Sequence, residues 1–187
     1  MITIISGLPR SGTSLMMQML RAGGMGLLTD FERKPDADNP RGYYEWEPAK
    51  LLPEQPGIIA QAEGKAVKVI TQLLMSIPEG HEYKVIMMQR PLAEVLVSQG
   101  EMLRRRGSSS DALGREAMAK AFRDHLLKVD AWLKSRRDIS IRRQLYSDLL
   151  QTPRIACEGI REFLGLDLNV GSMAGEVDPS LYRNRRP

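Results

Sequence analysis

Gly7 and Gly12 bracket Leu8-Pro9-Arg10-Ser11 and are followed at once by Thr13 and Ser14. Glycines at this spacing let the backbone curl so that successive N–H groups converge on an anion. A helix starting behind the second glycine adds the positive end of its dipole. The spacing is that of a Walker A loop, but the lysine that would follow Gly12 and hold a nucleotide's outer phosphates is replaced by Thr13. Arg10 is the cation available in its place. A magnesium-dependent nucleotide hydrolase also wants an apolar strand ending in aspartate. The most apolar later segment ends Met88-Gln89-Arg90 instead, and a strand ending in a cation suits an anion better than a metal. The loop is therefore expected to hold a doubly charged group without Mg²⁺.

The elements that must position these groups can be read around them. Residues 2–6 are a β-branched run ending in glycine, a buried strand. Residues 14–21 carry Leu15, Met16, Met19 and Leu20 at helical spacing, and Gly23-Gly24 stops that helix. Strand, glycine loop and helix form the opening unit of a nucleotide-binding α/β domain. Residues 66–70 and 84–88 read as further strands, apolar and bounded by loop signals as parallel central strands are. Arg90 falls at the carboxyl end of the latter, the edge at which open α/β sheets bind ligands.

Pro91 opens a helix running to Arg106, with Ser98 about two turns along it. Gly107 and Ser108–Ser110 break the chain. Asp111 then caps a long helix to Ser135 whose stripe is Met118, Phe122, Leu126, Val129 and Leu133. Residues 139–142 read as a fourth strand, and 153–164 as a last helix ended by Gly165. The stretch 29–64 is rich in Pro, Gly, Asp and Glu without periodicity, as a lid or binding loop is. The expected fold is a P-loop-type three-layer α/β/α domain spanning 1–187 with a mostly parallel central sheet.

Leu8-Pro9-Arg10-Ser11-Gly12-Thr13-Ser14 resembles the 5'-phosphosulfate loop of sulfotransferases, in the arginine form of the tyrosylprotein and bacterial branches. Arg90-Pro91 followed by Ser98 is similar to that family's 3'-phosphate site. Tyr146-Ser147-Asp148-Leu149-Leu150 with Pro153 resembles the segment whose tyrosine lies by the adenine, and Phe163-Leu164-Gly165-Leu166 matches the stretch beyond it. The pieces stand in the family order along most of the chain. The resemblance implies transfer of a sulfonate from 3'-phosphoadenosine-5'-phosphosulfate (PAPS) to a hydroxyl or amine, with PAP as product and no metal. Pro9, Arg10, Ser11, Gly12, Thr13, Ser14, Arg90, Ser98 and Tyr146 would hold the nucleotide. Arg10, the loop amides and the Thr13 and Ser14 hydroxyls would stabilise the leaving oxygen.

The family's general base is a histidine or glutamate. Glu45, after Asn39-Pro40-Arg41-Gly42-Tyr43-Tyr44, and Asp30 are ranked together for that role, with Glu32 near Asp30. His125 beside the stripe reads as a packed residue and His81 as a turn residue. The chain departs from the family in its short length, in Met102 standing where relatives add a basic residue, and in lacking a late glycine-rich 3'-phosphate loop. Arg104 or Arg105 could replace the missing cation, and residues 181–185 are either a nucleotide cover or a frayed tail. Alternatives are a nucleotide kinase or hydrolase with a degenerate loop, and a non-catalytic nucleotide-binding protein.

Composition bounds the remainder. The 187 residues are 42% hydrophobic and 27% charged, with net charge +4, which suits one globular domain and an anionic ligand. No stretch interleaves aromatics with dense cations, so nucleic acid is not expected. Arg104–Arg106 and the tail Arg183, Arg185 and Arg186 are the only basic clusters. Cys157 stands alone, implying a reducing, cytoplasmic setting. The apolar run at residues 2–5 is too short for a leader or a membrane span. The partner is a small-molecule or peptide acceptor, and self-association is left open. Tyr43, Tyr44 and Trp46 are either an aromatic-lined mouth or anchors to the core.

Overall fold

Strand β1 (Ile2–Gly7) is buried at every position, as a β-branched strand must be when parallel neighbours flank it and helices cover both faces. In the computed structural model, which describes residues 1–36, 38–105, 107 and 112–178, four more strands join it. They are β2 (Leu27–Leu28), β3 (Ala66–Lys68), β4 (Tyr83–Gln89) and β5 (Ile139–Leu145). All pairings are parallel, in the order β2-β3-β1-β4-β5. The sheet is thus wholly parallel, and β1 has β3 on one side and β4 on the other.

Helices fill the two outer layers. On one face, Ile5, Ala66, Ile86 and Met88 pack under α1 (Thr13–Ala22), α6 (Pro153–Leu164) and α7 (Val170–Gly175). On the other, Ile2, Ile4, Val67, Val85 and Met87 pack beneath α2 (Thr71–Leu74), α4 (Ala112–Ser135) and two 3-10 turns, Glu47–Leu51 and Pro56–Ala62. Between β4 and α4 runs α3 (Leu92–Arg105), and α5 (Tyr146–Gln151) follows β5 directly. No described helix is long and apolar enough to cross a membrane.

Several boundaries move. β3 ends at Lys68, two residues before the expected Ile70, β5 continues three residues beyond Arg142 because it pairs with β4 along its whole length, and β2 was not expected. The 29–64 stretch is not without structure. Its two 3-10 turns bury Ala49, Ile59 and Ala62, with Trp46 and Leu52 beside them. Of the expected stripe in the long helix only Val129 and Leu133 join the core, because its C-terminal end is the part that packs there; Met118, Phe122 and Leu126 are half-covered. Arg106, the serine break, the Asp111 cap and residues 181–186 lie outside the described residues.

Two details fix α6. Gly165 closes it in the left-handed region at φ 65°, and the ammonium of Lys84 on β4 donates to the carbonyls of Phe163 and Leu164 at 2.9 and 2.8 Å. A cation at exposed C-terminal carbonyls also meets the negative end of the dipole. On the inner face of α6, Cys157 is fully buried and its thiol is pushed up to about 11 by that burial, which leaves it unreactive.

Candidate active site

The carboxyl edge of the sheet opens into a cavity of about 460 Å³. It lies where β1 is flanked by both neighbours, the place at which ligands enter open α/β sheets. The loop after β1 forms its floor. Gly12 sits at φ 100°, and a Cβ there would lie 2.5 Å from the ring of Tyr146. At Gly7 a Cβ would come within 2.9 Å of the Met88 carbonyl and 2.3 Å of Ser11 Oγ. Close approach therefore demands glycine at both ends of the motif. Arg10 itself is held at φ 70°, a left-handed conformation unusual for a side chain of its size and a form of strain that gathers at functional loops. Ser11 Oγ is buried with no hydrogen-bond partner in the protein.

On the β4 side stand the groups expected for a nucleotide. Arg10 Nε donates to Ser98 Oγ at 2.9 Å, and both Arg10 Nη atoms reach the Asp38 carbonyl at 3.3–3.4 Å. Arg90 pairs with Glu94 at 2.9 Å and donates from Nη1 to the Arg10 carbonyl at 3.2 Å. Its guanidinium lies 5.0 Å from the centre of the Tyr146 ring. Burial raises the Tyr146 hydroxyl above its ordinary pKa, against the opposing pull of Arg90 and Arg10. Met102, Gln99 and Arg105 complete this flank, and Arg105 is ion-paired with Asp38 and Glu101. Arg105, not Arg104, is the cation of that pair that reaches the cavity.

The β3 side is built around a residue the motifs did not mark. Lys68 ends β3, is 7% exposed, and reaches the Tyr43 carbonyl at 3.0 Å, Ser14 Oγ at 3.2 Å and Glu45 Oε1 at 3.3 Å. Burial pulls its pKa below the ordinary lysine value, which the Glu45 carboxylate partly offsets. Glu45 is bound on its other side by Arg33 at 3.1 Å. The Arg33 guanidinium lies 3.3 Å from the centre of the Tyr43 ring, and the Tyr43 hydroxyl donates to Asp36 at 2.7 Å. Tyr43 and Trp46 are both anchors, 6% and 7% exposed, and part of the cavity wall. A lysine inside an otherwise apolar Ala-Val-Lys-Val-Ile run was the one signal for Lys68, since an interior strand cation needs a partner.

Pro9, Arg10, Gly12, Thr13, Ser14, Glu45, Arg90, Ser98 and Tyr146 all line this cavity. Ser11 lies behind the loop. Asp30 sits apart from the wall, where its carboxylate accepts the Glu47 backbone N–H at the start of a 3-10 turn and the Glu32 N–H at 3.0 Å. That is the geometry of a cap. His81 lies by Glu63 and Tyr83, and His125 lies on α4; neither lines the cavity. Asp38, Asn39, Pro40 and Arg41 add a further stretch of wall. It is tied down by Arg41, which donates to the Glu176 carbonyl at 2.8 Å and to Asp178 at 3.3 Å.

No protein-family model and no curated protein sequence matches the chain. Solved structures do. The sulfotransferase STF1 of Mycobacterium tuberculosis aligns with a TM-score of 0.59 at 16% identity, over 97% of this chain and 73% of that one. A sulfotransferase domain from the curacin biosynthetic pathway aligns with a TM-score of 0.53 at 13% identity, over 100% of this chain and 92% of that one. The chain therefore has the sulfotransferase fold.

Proposed function

We propose that the protein is a sulfotransferase that moves a sulfonate from PAPS to an acceptor hydroxyl or amine. One observation carries the reading. A strained glycine loop at a helix N-terminus opens between two flanks, one with Arg10, Arg90, Ser98 and Tyr146, the other with Lys68 and Glu45. The fold shared with two bacterial sulfotransferase structures supports it.

The residues suit such a donor. Loop amides and the α1 N-terminus take the 5'-phosphosulfate, while Ser11, buried behind the loop against Gly7, supports its curl. Arg90 and Ser98 take the 3'-phosphate, and the Tyr146 ring, packed over Gly12, backs the adenine. Arg10 now bonds Ser98, so its side chain shares the 3'-phosphate flank. To touch the leaving oxygen it swings away from Ser98 while its backbone stays fixed.

The reaction is an in-line displacement. The bond from sulfur to the bridging phosphate oxygen breaks as that from sulfur to the acceptor oxygen or nitrogen forms. Charge builds on the oxygen of departing PAP, where loop amides, Arg10 and the Thr13 and Ser14 hydroxyls can meet it. Glu45 receives the acceptor proton, and Lys68, between Glu45 and Ser14, faces the equatorial oxygens of the sulfonate in transit. Asp30, which caps a turn, is assigned no part.

The test is a calorimetric titration with PAP in EDTA, beside Mg·ATP. Selective binding of PAP is expected. Binding of Mg·ATP alone would replace this reading with a phosphoryl-transfer one.

A further inference from the structure

The wall beyond Lys68 and Glu45 has a chemistry that the nucleotide does not use. β3 and β4 leave β1 on opposite sides, so groups following β3 cannot belong to the flank formed by α3. Six uncharged residues line the cavity on that side, its β3-side lobe: Leu15 and Gln18 on α1, Trp46 and Ala49 at the first 3-10 turn, and Ile70 and Leu73 around α2, beside the charged Arg33, Glu47 and Lys50. Four of these six are large and apolar. Leu15 and Gln18 lie three residues apart, one helical turn, so they present one face of α1 to the lobe. The polar groups at its margin are already committed: Glu47 is ion-paired with Lys50, and Lys68 with Glu45.

From this lining we infer that the β3-side lobe binds an acceptor whose single hydroxyl is carried on an apolar body, a phenol or an apolar alcohol. The inference rests on the sulfotransferase reading above. The hydroxyl sits at Glu45 and Lys68, and the apolar body lies against Leu15, Trp46, Ile70 and Leu73. A sugar fits poorly. Each hydroxyl beyond the reacting one would face Leu15, Ile70 or Leu73 without a partner, and burying an unbonded hydroxyl is costly. A peptide would bring backbone N–H and C=O groups into the same wall with the same deficit. Gln18, 5% exposed, is the polar side chain among these six and accommodates one further polar substituent.

Calorimetry separates this inference from its premise. PAP-saturated protein is titrated with 2-naphthol, with N-acetylglucosamine and with a tyrosine-containing peptide. The expected result is heat from 2-naphthol alone. Leu73→Asp is expected to weaken 2-naphthol by about tenfold or more while leaving PAP affinity unchanged, the latter also showing that the variant is folded. Binding of the sugar or the peptide in preference to 2-naphthol overturns the inference, as does an unaltered naphthol affinity in Leu73→Asp. Should PAP itself fail to bind, the donor reading falls, and 2-naphthol titrated into the nucleotide-free protein still judges the lobe by the same Leu73→Asp comparison.

Discussion

Arg10 Nε lies 2.9 Å from Ser98 Oγ, joining the first loop to the middle of α3 across 88 positions of sequence. The contact puts the loop's cation on the flank assigned to the 3'-phosphate. Arg10, at φ 70°, makes further contacts: its guanidinium also reaches the Asp38 carbonyl, and Arg90 donates to the Arg10 carbonyl. Three separate segments converge on one residue.

Arg10→Ala is expected to lower turnover by about 10²–10³ with a verified acceptor, the usual cost of one lost donor at a developing oxyanion. Initial rates with saturating PAPS decide it, and wild-type turnover would remove Arg10 from the chemistry.

Glu45→Gln keeps the shape of the side chain and most of its contact with Lys68 and Arg33. Turnover should drop by about 10²–10⁴ if Glu45 takes the acceptor proton, while calorimetry shows PAP affinity intact. Asp30→Asn is the control and should leave kcat within about twofold, because Asp30 only caps a turn.

Gly12→Ala forces a Cβ to within 2.5 Å of the Tyr146 ring at a positive φ. Weaker PAP binding and a lower Tm should appear together. Pairing it with Tyr146→Ala should recover part of the Tm, since the clash is relieved, but not the binding.

Lys68 carries a pH signature. Its folded pKa lies below the unfolded value, so between the two the unfolded chain binds the additional proton and stability rises with pH. The penalty is full below the folded pKa and gone above the ordinary lysine value of about 10.4. Urea midpoints measured between neutral pH and about pH 10 should show this slope in the wild type, and Lys68→Met should flatten it.

Arg136 holds the opposite end of the sheet. Only 7% of its side chain is exposed, and it donates to the carbonyls of Ile77 and Pro78 at 3.1 and 2.9 Å and to Asp138 at 2.6 Å. Arg136→Met should cost about 2–3 kcal/mol by urea denaturation. The guanidinium holds the Asp138 carboxyl below its ordinary pKa despite some burial. Its stabilisation is complete above that ordinary value, about 3.9, and vanishes as pH falls through the lower folded value. The difference between wild type and variant should therefore narrow in strong acid.

Local patterns exposed most of the framework. The wholly buried, isoleucine-rich β1, the Gly7–Gly12 spacing and the Pro153-to-Gly165 helix each carry their signal within a few neighbouring residues, and each stands where expected. Arg90, Ser98 and Tyr146 were legible as a pattern along the chain, and the fold brings them to the same cavity. What escaped depends on distant partners. Lys68 acquires meaning only when Ser14, Tyr43 and Glu45 arrive around it. Asp30 and Glu45 look alike as loop carboxylates, and only folding sends one to a cap and the other between two cations. The helices α2, α5 and α7 are too short to show a period.

The position of β1 between β3 and β4 divides the work of the chain by sequence. Nearly everything on the flank proposed for the acceptor comes from the first 74 residues, whereas Arg90, Ser98, Arg105 and Tyr146 come from the remainder. Descendants of this gene could therefore drift toward new acceptors through changes in the early half alone, keeping their donor grip unaltered. A chimera that exchanges residues 15–74 between two such proteins would trade acceptor preference without trading cosubstrate.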